Sequence, residues 1–163
     1  MQNAWLSDDI MFENVKKFFT TINAEDTQGV DQTLRPEIAL CVLLLETAYA
    51  DGECSAQEKE QLAATLRTLY ALSPEAMGEL IATSNVQRQE SVDLFRFTRY
   101  MNETLTKEEK LTVMRAVWRI ILVDGHLEAH EDHFAHKLAN LLRLTHKELI
   151  DCKLAARTQF GKR

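Results

Sequence analysis

The chain of 163 residues carries a formal net charge of −6 at pH 7, is 45% hydrophobic, and holds only five glycines and two prolines. This length supports one core and one domain, and the supply of Leu, Ala, Glu, Gln and Lys favours helix throughout. The acidic balance, with a pI near 5.4, speaks against a nucleic-acid partner, whose binding rests on clustered cations; the longest apolar run, residues 38–45, is far short of the roughly 20 residues needed to cross a bilayer.

Ser7 is placed to cap a first helix in which Ile10, Met11, Val15, Phe18 and Phe19 recur at helical spacing, and residues 23–35 read as a polar loop. Pro36 suits a first helical turn, where its missing N–H costs nothing, and opens a helix to about Ala50 that is apolar nearly all round and therefore central. Ser55-Ala-Gln-Glu58, Thr106-Lys-Glu-Glu109 and Thr145-His-Lys-Glu148 are capping boxes that mark three further helix starts. Ser73-Pro74 marks another, and a shorter helix is expected over 91–101. The helix opened by Thr106 carries Leu111, Met114, Val117, Trp118, Ile121 and Leu122 on one broad face, as the counterpart of the Pro36 helix.

These two central helices belong to an internal repeat. With Asp51 placed on Asp124, the stretch Leu44 to Glu58 aligns with Val117 to Glu131: buried helix, Asp-Gly, a short link, Glu, amphipathic helix. Gly52 and Gly125 suit a positive φ at the helix end. The expected fold is all-α: a single-domain bundle of seven or eight helices with an internal duplication and approximate twofold symmetry. Its parts are an N-terminal helix and loop (1–35), a first repeat (36–83), a linking helix (84–105), a second repeat (106–156) and a basic tail (157–163).

Four carboxylates carry the candidate chemistry: Asp51 with Glu58, and Asp124 with Glu131, seven positions apart in each pair. Such hard oxygen donors suit a divalent cation, and gathering them is costly without one. The spacing is not that of an EF-hand loop. The competing reading is structural, since Glu58 is the fourth residue of a capping box and both aspartates suit turns. In the second half Glu128 stands where the first has Ser55, so the hydroxyl half of that box is missing while Glu131 remains.

Three other features bear on function. Glu46 lies inside an apolar helix and needs a partner, for which Arg119, at the equivalent place in the second half, is the expected choice. His126, His130, His133 and His136 crowd the second half and form either a solvated face or a zinc or nickel site; His130-Glu-Asp-His133 lacks the HExxH spacing of zinc proteases. Cys41, Cys54 and Cys152 are scattered and odd in number, which speaks for a reducing, cytoplasmic setting, as does a polar start unlike a signal peptide.

Ala48-Tyr-Ala-Asp51-Gly-Glu with Glu58, repeated as Val123-Asp124-Gly-His with Glu131, resembles the TerB-like (tellurite resistance) proteins over roughly residues 36–156. The resemblance implies a duplicated helical bundle and a metal-associated acidic centre at Asp51, Glu58, Asp124 and Glu131, with a divalent ion (Ca, Mg, Mn or Zn) as the possible cofactor. It also implies a link to tellurite resistance and stress responses, and similarity to the domain preceding the J-domain of some membrane-anchored co-chaperones. His126 replaces Glu53 and Arg119 replaces Glu46, so the half-sites are not equivalent. The expected function is a non-enzymatic binding module with a protein partner and no nucleic acid or membrane insertion. The alternatives are a metal-free interaction adaptor using an exposed groove or its Arg96 and Arg99 face, and a metal-dependent hydrolase drawing on His126 or His130.

Overall fold

The computed structural model describes residues 33–160, so the helix expected after Ser7 and the end of the basic tail lie outside the described residues. Within them the chain forms seven helices and no strand: α1 (Pro36–Ala48), α2 (Ala56–Tyr70), α3 (Pro74–Glu90), α4 (Phe95–Thr104), α5 (Lys107–Ile121), α6 (Ala129–Leu141) and α7 (His146–Phe160). All are packed into one helical domain around a shared core.

Local chemistry starts these helices where the sequence places them. Pro36 occupies the first turn of α1. At α2, α5 and α7 the cap hydroxyl accepts the N–H of the fourth box residue, and that residue's carboxylate accepts the cap N–H. Ser73 Oγ accepts the Ala76 N–H at 3.2 Å to open α3. That helix runs on to Glu90, and Asp93 Oδ1 accepts the Phe95 N–H at 2.8 Å, so the linking helix begins at Phe95 rather than at residue 91.

Packing then separates the two central helices from the rest. From Ala39 to Leu44 no residue of α1 is more than 1% exposed, and α1 contacts α2, α3, α4, α5 and α6. Each fully buried leucine there contributes about 1.5–3 kcal/mol relative to exposure. Helix α5 buries Met114, Val117, Trp118, Ile120 and Ile121 against α1, α2, α6 and α7. The order of packing recurs in the two halves: α1 lies on α2 and most broadly on α3, as α5 lies on α6 and most broadly on α7.

Candidate acidic centre

The two Asp-Gly turns are built alike. At the end of α1 the Gly52 N–H donates to Tyr49 O at 2.9 Å, and at the end of α5 the Gly125 N–H donates to Leu122 O at 3.1 Å. Both glycines adopt positive φ, 95° and 81°, a region that costs other residues about 1–2 kcal/mol. In each turn the aspartate folds back on the chain: Asp51 Oδ1 accepts the Glu53 N–H at 3.0 Å, and Asp124 Oδ1 accepts the His126 N–H at 2.9 Å. Both aspartates remain exposed.

The glutamates differ from them in burial. Glu58 is 5% exposed and Glu131 4%, on helices that pack against the opposite half, α2 on α5 and α6 on α1. One oxygen of each holds the chain entering its helix: Glu58 Oε2 accepts the Ser55 N–H at 2.7 Å, and Glu131 Oε2 accepts the Glu128 N–H at 2.8 Å. Glu131 thus keeps its capping role although no serine or threonine precedes it.

Of the four carboxylates, Glu131 feels the charges of the other three. Burial is the main cause that raises the Glu131 pKa; the Glu128 N–H opposes it, and the charges of Glu58, Asp124 and Asp51 raise it further. Two of those charges come from the other hairpin. Cys54, in the first link, is likewise raised by burial and by Glu58 and Asp51, with Lys59 and Arg88 opposing. As donors, four carboxylates suit a hard divalent cation. Among the described residues, however, no group of three or more His, Cys, Asp or Glu side chains is drawn close enough to hold an ion; the arrangement is an acidic centre and not a finished coordination cage.

Glu46 corrects an expectation. Its partner is Arg88 of α3, whose Nη1 lies 3.1 Å from Glu46 Oε1, and not Arg119. Arg88 is fixed further by Asn85 Oδ1 at 3.1 Å and by lying 4.6 Å over the Tyr49 ring, so an α3 side chain closes over the end of α1. Of the histidines, His126, His130 and His133 are exposed, whereas His136 is half-buried. Arg99 of the proposed basic face is paired with Glu103 at 2.9 Å.

The architecture is that of a helical module in which two hairpins each carry an Asp-Gly turn followed by a buried glutamate at the start of the next helix. The family described as tellurite resistance protein TerB matches residues 37–154, and the chain belongs to that family. No curated protein and no solved structure matches it. Among the described residues no helix is long and apolar enough to cross a membrane.

Proposed function

We propose that this TerB-family domain is a non-catalytic binding module whose acidic centre, Asp51, Glu58, Asp124 and Glu131, takes up a hard divalent cation and thereby adjusts how the domain meets a protein partner in a stress response. The observation that carries this reading is Glu131: a carboxylate only 4% exposed that feels three further carboxylate charges. A cation offsets both burial and repulsion. The aspartates are exposed and each uses one oxygen in its turn, so their side chains are available to swing toward an ion.

A metal-free adaptor is the second reading, supported by the capping duties that already occupy Glu58 and Glu131. Native mass spectrometry of chelator-treated protein titrated with Ca²⁺, Mg²⁺, Mn²⁺ and Zn²⁺ separates the two. The cation reading expects a saturable adduct that Asp51→Asn/Asp124→Asn removes; equal uptake by protein and variant would leave the adaptor. Cys54 supplies an internal reporter, because a cation that neutralises Asp51 and Glu58 removes charges that hold its thiol up. Cys41 and Cys152 are buried and pushed up to about 11, so thiol labelling of the native chain reports Cys54, and its rate rises when the ion binds.

A further inference from the structure

We propose a second metal site, independent of the acidic centre, in which His136 of α6 and His146 at the start of α7 together bind a late first-row divalent ion such as Cu²⁺ or Ni²⁺. The tertiary fold brings the two imidazoles to 5.7 Å between ring centroids with a 31° tilt. With metal–nitrogen bonds of about 2.0–2.1 Å, two imidazoles on one ion hold their centroids roughly 4.5 Å apart when cis and roughly 6.4 Å apart when trans, so the observed separation lies within the reach of one ion.

The orientation of His136 suits binding. His136 Nδ1 lies 2.8 Å from the Asp132 backbone oxygen; a carbonyl only accepts, so Nδ1 carries the proton and the lone pair of the neutral ring is on Nε2. A histidine whose far nitrogen is held by a carbonyl or carboxylate is the usual form of a metal ligand. The Asp132 carboxylate stands 3.5 Å from the same Nδ1, and its other oxygen is held by Lys153 at 3.1 Å. Lys153 in turn lies 4.8 Å over the buried Trp118 ring. Asp132 is therefore an orienting group, fixed from α7 across the α6–α7 interface. His146 is exposed and is free to turn toward a shared ion. No third histidine, cysteine or carboxylate among the described residues completes a cage, so water fills the other positions, and the helix dipole at the start of α7 opposes a cation. The site thus selects ions that seek nitrogen most strongly, with Cu²⁺ first in affinity.

The test is titration of the untagged full chain with Cu²⁺, followed by calorimetry and by electron paramagnetic resonance. One equivalent is expected, with a two-nitrogen signature. His136→Gln and His146→Gln should each weaken binding about tenfold or more, and His146→Gln, on the exposed side, leaves the fold in place. His130→Gln/His133→Gln and Asp51→Asn/Asp124→Asn should leave it unchanged, the latter separating this site from the acidic centre. Absence of stoichiometric binding, or loss in the 130/133 variant with retention in His146→Gln, overturns the proposal.

Discussion

At the first hairpin α1 is buried on every side, its one internal carboxylate is paired with Arg88, and a complete capping box opens α2. At the second, α5 buries a single broad face, Arg119 stands in place of Glu46, and Glu131 accepts the entering N–H without a cap serine or threonine. The turns between them are nonetheless superposable in kind, down to the aspartate that takes the N–H two residues on. The comparison teaches that the backbone device and the buried glutamate are kept where the residues around them change.

The largest expected effect tests the packing difference. Trp118, fully buried, stands where the first half has Leu45, 6% exposed. Trp118→Ala should cost about 3–5 kcal/mol and Leu45→Ala about 2–3 kcal/mol in urea denaturation; equal losses would show that the two central helices are interchangeable. The glycines test the likeness. A Cβ at Gly52 or Gly125 meets nothing within 4 Å, so only the positive φ opposes alanine, and each Gly→Ala should cost the same, about 1–2 kcal/mol.

Helices α2 and α6 end on left-handed residues that are not glycine, Ala71 at φ 47° and Arg143 at φ 60°. Ala71→Gly and Arg143→Gly should therefore each raise thermal stability by about 0.5–1 kcal/mol. The smallest effect concerns charge. Because the folded state raises the Glu131 pKa above its ordinary 4.5, the folded protein holds that proton more tightly than the unfolded chain, and stability falls as pH rises through the window just above 4.5. Glu131→Gln keeps an acceptor for the Glu128 N–H and removes the repulsion. It should stabilise the metal-free protein at neutral pH and flatten that part of the pH profile. Destabilisation at neutral pH would show that the glutamate serves only as a cap.

Much of this molecule was legible in order along the chain. Pro36, Ser55, Ser73, Thr106 and Thr145 announce helix starts, and Asp-Gly announces the two turns, because each depends on hydrogen bonds spanning no more than four residues and on the φ freedom of one glycine. The left-handed ends at Ala71 and Arg143 gave no such signal, since neither residue type marks that conformation. The four acidic residues were likewise legible as a pattern. The burial of Glu58 and Glu131 was not: it depends on how α2 crosses α5 and α6 crosses α1.

Long-range pairing separates what the sequence determined from what the tertiary structure decided. Composition, periodicity and caps determined an all-helical chain with two similar hairpins. Only the folded structure chose Arg88, 42 residues away, over Arg119 for Glu46, set Glu131 within reach of the charges of the first hairpin, and brought His136 beside His146. Helix formation is decided by neighbours within a turn, whereas a side chain's distant partner follows from crossing angles and rotamers, which core packing fixes all at once.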